Sequence, residues 1–263
     1  MDFKKITEVL VTAKAVQYVM IAVLLIGAFF LPRLAVKQET EAAGQEATAE
    51  VQQLKDSQQS GGNAQAAKGT IVLDPGHGGD DPGMIGAGGI NEKKLNLIYA
   101  KKLQALLEAE GYRVVLTRET EEGLYDVDAA HKKAQDMQRR VAIIAEEAPL
   151  ITVSIHQNSY QDPAVSGPQV FYYENSAEGQ KLAKSIQDSM NSELSEARSR
   201  VEKSNSSYYI LKRSQGTTVI VECGFLSNPE EEARLQEEAY QDRVCAAVCA
   251  GILQYLDEHP EAG

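Results

Sequence analysis

Thr70-Ile71-Val72-Leu73-Asp74-Pro75-Gly76-His77-Gly78-Gly79 is the stretch whose reading decides the fold. Four β-compatible residues run into a sharp Asp-Pro-Gly turn, and His77 stands where the strand stops, ringed by glycines that keep bulky side chains away from it. A histidine at a strand end in an open loop is placed for chemistry. Taken alone, the loop is equally compatible with a tight turn or a phosphate cradle. It lacks the G-K-[ST] ending of a P-loop, and Gly86 to Asn91 does not complete G-x-G-x-x-G, which argues against nucleotide binding.

Downstream of this loop, strand and helix signals alternate. Glu92 to Glu110 reads as a helix with Leu95, Ile98, Leu103, Leu106 and Leu107 inward and Gly111 as its stop. Arg113 to Leu116 is a short strand, and His131 to Glu147 is a second amphipathic helix carrying Ala134, Met137, Val141 and Ile144. Leu150 to Ile155 is almost entirely apolar or β-branched, as a strand covered on both faces should be, and it ends on His156. Gln169 to Tyr173 predicts another strand, Ser176 to Leu194 a helix, Tyr208 to Leu211 a short strand and Thr217 to Glu222 a central one. Pro229 to Gln236 and Tyr240 to Leu256 close the pattern as helices.

This alternation predicts a single α/β domain over residues 69–260, with a mostly parallel, twisted central sheet flanked by helices. In such sheets ligands gather at the carboxyl ends of the strands, which here carry His77, His156 and Glu222.

Upstream, Lys4, Lys5 and Lys14 precede a run from Ala15 to Leu31 that is apolar apart from Gln17 and ends at Pro32 and Arg33. As a helix this run reaches about 26 Å, and adding Val9 to Ala13 with Lys14 snorkelling spans a bilayer core of about 30 Å. No small-x-small cleavage site follows it, so residues 1–35 read as an uncleaved membrane anchor with its N-terminus inside, a cleaved signal being the alternative. Either reading exports the remainder. Residues 36–68, rich in Gln, Glu, Ala, Ser and Gly, read as a solvated acidic and polar linker.

With 43% apolar and 24% charged residues, the 263-residue chain can bury a full core. A net charge of −12 excludes wrapping nucleic acid, which needs clustered Lys and Arg. Cys223, Cys245 and Cys249 are an odd count with no disulfide framework and read as buried thiols, Cys223 beside Glu222 facing the core.

Glu92 joins the strand-end residues because it follows the His77 loop and opens the first long helix, so it can fold back over the same rim. Two imidazoles and one carboxylate, His77, His156 and Glu92, are the donor set of catalytic zinc sites, which keep a position for water. A second carboxylate must then move protons, and Glu222 is placed for that. The bland readings are a loop-capping His77, a satisfied core His156 and a Glu92 favoured by the helix dipole. The spacings, 15 residues from His77 to Glu92 and 64 on to His156, match no short metal signature.

Five motifs, in order, extend the reading: Leu73-Asp74-Pro75-Gly76-His77-Gly78-Gly79, Glu92 with Asn96-Leu97, Thr117-Arg118, Ser154-Ile155-His156-Gln157-Asn158, and Val221-Glu222-Cys223-Gly224-Phe225-Leu226-Ser227-Asn228-Pro229. Across residues 69 to 257 the chain resembles the zinc-dependent N-acetylmuramoyl-L-alanine amidases of the type-3 family. The resemblance implies zinc held by His77, Glu92 and His156, Glu222 as the catalytic carboxylate, and hydrolysis of the amide between the lactyl group of N-acetylmuramic acid and L-alanine in peptidoglycan. It also implies a structural role for Arg140. Thr217 stands where members often carry proline, and Gln157 replaces the usual alanine; both are expected to bear on pocket shape.

Lys133-Ala134-Gln135-Asp136-Met137 before Arg139-Arg140-Val141, and Ser166 to Tyr173, are most similar to the membrane-anchored amidases that prepare spore-cortex peptidoglycan for muramic-δ-lactam formation. That subtype implies a catalytic domain in the cell envelope, including the forespore intermembrane space. Between Tyr173 and Tyr208 there is room for one long helix and a loop, without the occluding helix of cell-division members, so an activating protein partner is expected. The alternatives are a vegetative wall-remodelling amidase, a peptidase acting on the stem peptide, and a non-catalytic peptidoglycan-binding scaffold that would have lost a ligand or Glu222.

Overall fold

A computed structural model describes residues 67–260. The expected anchor, and the expected linker up to residue 66, lie outside the described residues. Among the described residues no helix is long and apolar enough to cross a membrane.

Six strands form one sheet: β1 (Thr70–Pro75), β2 (Arg113–Leu116), β3 (Ile151–Asn158), β4 (Gln169–Tyr173), β5 (Lys203–Asn205) and β6 (Thr217–Phe225), in the order β2-β1-β3-β6-β4-β5. The first four in that order run parallel, β4 pairs antiparallel with β6, and β5 runs parallel to β4. The helices are α1 (Glu92–Ala109), α2 (Lys132–Glu147), α3 (Ala177–Glu193), α4 (Tyr209–Arg213), α5 (Pro229–Leu235) and α6 (Glu238–Glu258).

Strand periodicity divides the apolar residues between two layers. Ile71, Leu73, Val153, Ile155, Val219 and Val221 pack into the larger core with Leu95 and Leu103 of α1, Leu182 and Ile186 of α3, and Val244 and Ile252 of α6. On the opposite face Val72, Phe171 and Ile220 meet Ile144 of α2 and Ile210 and Leu211 of α4. That second layer is short and leaves the carboxyl ends of β1, β3 and β6 open.

The strand expected at Tyr208 to Leu211 is instead helix α4, and the edge strand falls earlier, at Lys203–Asn205. Asn205 causes the difference: its side-chain oxygen accepts from the backbone N–H groups of Ser207 and Tyr208 at 2.7 and 2.8 Å. This side-chain turn ends the extended run and starts a helix, which buries Ile210 and Leu211 on the sheet. The expected helix between Tyr173 and Tyr208 is α3, with Ser176 capping its N-terminus by accepting from the Gly179 N–H at 2.9 Å.

Candidate active site

His77, Glu92 and His156 converge at the open end of the sheet, each offering a ligand atom within 4.8 Å of the others. The parallel register explains the placing of two strand-end residues, since His156 of β3 lies beside Glu222 of β6. Glu92 arrives because the loop after β1 folds back: its backbone N–H bonds the Met84 carbonyl at 2.9 Å, which sets the first turn of α1 over the strand ends.

The Glu92 carboxylate is buried and fully engaged. One oxygen lies 2.9 Å from His156 Nδ1 and accepts from the Gln157 N–H at 3.1 Å and Asn96 Nδ2 at 3.2 Å; the other lies 3.2 Å from His77 Nε2 and accepts from the Met84 N–H at 2.8 Å. Burial opposes its ionisation, but hydrogen bonds from His156 and His77 outweigh that and hold it well below the usual carboxylate range. His77 is raised: burial opposes its charge, but contacts with Glu92 and Asp81 favour it. Asp81 lies 3.1 Å from His77 Nδ1, a contact of the kind that fixes an imidazole's tautomer and orientation.

His77 adopts a left-handed backbone, with φ of 62°. This conformation is uncommon outside glycine and persists only where surroundings impose it. Two buried arginines do so. Arg140 donates to the carbonyls of Pro75 and His77 at 2.7 and 2.6 Å, and Arg118 donates to those of Pro75 and Gly76, both at 2.9 Å. Three consecutive carbonyls of the loop are therefore held by guanidinium groups. Arg140, 1% exposed, is balanced by Asp74 and Asp136 at 2.7 and 2.6 Å. Burial and the neighbouring Arg140 cation push Arg118 down to about 10.

The loop glycines make room for the site's own side chains. A Cβ on Gly76 would lie 2.1 Å from His156 Nε2, and one on Gly83, with φ of 68°, would lie 2.5 Å from a Glu92 carboxylate oxygen.

Glu222 faces the same cleft of about 500 Å³, which is also lined by His77, His156 and Tyr208. It is only 7% exposed, and its Oε2 has no hydrogen-bond partner among the described residues. Burial, with the charge of Glu92 adding to it, pushes its carboxyl well above the usual range. A buried carboxyl that holds its proton more tightly than usual is suited to exchanging protons with a reacting group near neutral pH.

Sequence reasoning named His77, Glu92, His156 and Glu222; the fold brings the first three within ligand distance of one another and sets Glu222 beside His156, on the cleft that His77 and His156 also line. Asp81 was missed; its only signal is a place four residues after His77. Gln157, expected to shape the pocket, instead turns its buried side chain to Asn96 Oδ1 at 3.3 Å, behind Glu92. Burial pushes the Cys223 thiol well up, so it remains a protonated core residue.

Three donors at the open end of the sheet, with a buried carboxyl beside His156, form the arrangement of a metal-assisted hydrolase. The family model described as N-acetylmuramoyl-L-alanine amidase matches residues 71–254. The germination-specific N-acetylmuramoyl-L-alanine amidase of Bacillus subtilis is 37% identical over 191 residues, covering 72% of this chain and 80% of the relative. The CwlD amidase of Clostridioides difficile, solved in complex with the GerS lipoprotein, superposes with a TM-score of 0.70 at 34% identity, covering 72% of this chain and 99% of that one. AmiC2 of Nostoc punctiforme gives 0.63 at 33% identity, covering 73% and 98%. The chain belongs to the type-3 N-acetylmuramoyl-L-alanine amidase family. It is an amidase acting on peptidoglycan.

Proposed function

We propose that His77, Glu92 and His156 hold a zinc ion and that Glu222 is the catalytic acid and base in cutting the amide between the lactyl group of N-acetylmuramic acid and L-alanine. The donor chemistry fits the ion: two imidazoles and a carboxylate offer atoms within 4.8 Å of one another, and the carboxylate has no lysine or arginine partner to displace. Zinc in such a site supplies a Lewis acid that polarises a carbonyl and acidifies water. Beside a bound cation the Glu222 carboxyl would ionise, so that it can take the proton of the attacking water and return it to the departing L-alanine nitrogen. Asp81 orients the His77 ring, and Gln157 and Asn96 hold Glu92 from behind. The observation that carries this reading is the buried Glu222, with its Oε2 unpartnered among the described residues, set beside His156 in the β3–β6 register and lining the same cleft as His77 and His156.

The physiological setting we infer is spore-cortex maturation, in which the freed lactyl carboxyl goes on to form muramic-δ-lactam. The germination-specific relative and the CwlD structure support it. The GerS lipoprotein in that structure supports an activating protein partner for this chain as well. The apolar run before residue 36 would then anchor the enzyme to the membrane, with its catalytic domain outside the cytoplasm.

Digestion of purified peptidoglycan with and without zinc, read by mass spectrometry, tests the chemistry. Peptides beginning with L-alanine should appear with zinc and disappear after chelation. Glycans still carrying their peptides with zinc present would favour the scaffold reading or a missing activating partner. Peptides cut within the stem would favour a peptidase.

A further inference from the structure

The chain carries a net charge of −12, yet Arg198, Arg200 and Lys203 line one groove of about 350 Å³. Register places that groove against the catalytic cleft. Gln169, which lines it, is the cross-strand neighbour of Glu222, and Asn158, which also lines it, lies two residues beyond His156 on β3, past an irregularity in the pairing with β6. The partition between groove and cleft is shared: Phe171 lines the groove and packs edge-on against Tyr208 of the cleft, with ring centroids 5.5 Å apart.

Among the described residues, none of the three cations has a carboxylate within ion-pair distance. Arg200 is half-buried and held in place. Its Nε donates to the Ser166 carbonyl at 2.8 Å, and its guanidinium lies over the Phe225 ring at 4.9 Å. Its terminal nitrogens have no partner among the described residues. The buried carboxylate that acts on it, Glu231, is already engaged by the backbone N–H groups of Gly167 and Phe225, both at 2.9 Å. Burial and repulsion from Arg198 both make the Arg200 charge harder to hold. Unpaired cations gathered in an acidic protein, one of them fixed by an aromatic ring, form a receptor for anions.

The bond cut next door joins an uncharged lactyl amide to a peptide. The glycan side brings no charge, whereas an uncross-linked stem peptide ends in a free carboxylate. We propose that the groove is the subsite for the stem peptide, with Arg198, Arg200 and Lys203 pairing with its carboxylates while the muramyl carbonyl sits in the cleft. This rests on reading the cleft as the place of amide hydrolysis. It assigns the peptide to the β4–β5 side of the centre.

The test measures binding of the released stem peptide by calorimetry, separately from turnover, using the acid and its fully amidated counterpart. Wild-type protein should bind the acid about tenfold or more tightly than the amide, the effect of one or two charge-assisted hydrogen bonds. Arg198→Ala combined with Lys203→Ala, both at exposed positions, should erase that preference, and Arg198→Lys with Lys203→Arg should retain most of it. On muramyl peptides the double alanine variant should raise KM with kcat unchanged, and only for the acid. Equal binding of acid and amide by wild-type protein would overturn the proposal, as would an acid preference unchanged in the double alanine variant. If muramyl substrates are cut elsewhere than at the lactyl amide while the acid preference is present and lost in the variant, the reading of the cleft fails and the groove stands as a site for peptide carboxylates.

Discussion

Asp74 and Glu222 are buried carboxylates on the same face of the sheet, two strands apart, in opposite circumstances. Asp74 accepts from Thr117 and Ser154, each at 2.6 Å, and from Arg140 at 2.7 Å. Burial raises its pKa, but the Arg140 charge and these hydrogen bonds outweigh it and hold the group below its ordinary value. Among the described residues Glu222 has no cationic side chain paired with it and an unpartnered oxygen, and is pushed the other way. A carboxylate given every partner becomes scaffold, fixing the loop that presents His77. One denied partners is left free to exchange a proton. The same residue chemistry is divided into support and reaction by what surrounds it.

Breaking the satisfied side should give the largest change in stability. Asp74→Ala strands the Arg140 cation against Asp136 alone and should cost about 3 kcal/mol or more in denaturant unfolding. The same variant should flatten the acid limb of the stability curve. Because the folded-state pKa of Asp74 lies below its unfolded value near 3.8, its contribution is present above that pH and lost as pH falls through the folded value. Wild-type and variant stabilities should therefore converge in acid.

Arg140→Lys tests whether the clamp positions the donor set. Lysine cannot reach Asp74, Asp136 and two loop carbonyls together, so zinc affinity measured by chelator competition should fall about tenfold, with a smaller loss of stability. Unchanged affinity would confine Arg140 to holding the fold. The smallest effect belongs to the unsatisfied side. Glu222→Gln should leave the melting temperature of the metal-free protein unchanged or raise it by the equivalent of about 1 kcal/mol at neutral pH, since the amide avoids the cost of burying a group that is ionised in the unfolded chain. A marked drop would mean that Glu222 supports the fold as Asp74 does.

The division between the two carboxylates was half legible in the sequence. His77, His156 and Glu222 declared themselves as polar residues ending apolar strands, and Glu92 as the acid opening a helix after a glycine loop. Strand periodicity is enough to bring such residues to one rim. What surrounds them was not legible, because the deciding contacts join residues far apart in the chain. Arg140 reaches Asp74 across 66 positions, and Gln157 reaches Asn96 across 61. Nothing in local periodicity marks Asp74 as paired and Glu222 as bare. Helix α4 escaped for a related reason: Tyr208 to Leu211 has strand-like composition, and the Asn205 side chain that starts the helix acts from outside that window.

The most direct test of the central claim separates metal binding from turnover at Glu222. Purified wild-type and Glu222→Gln proteins are assayed for bound zinc by mass spectrometry and for release of L-alanine-terminated peptides from peptidoglycan. Both should carry one zinc per chain, with release by the variant slower by about 10²-fold or more. Wild-type-like release by Glu222→Gln, with zinc retained, would contradict the assignment of Glu222 as the group that moves the proton.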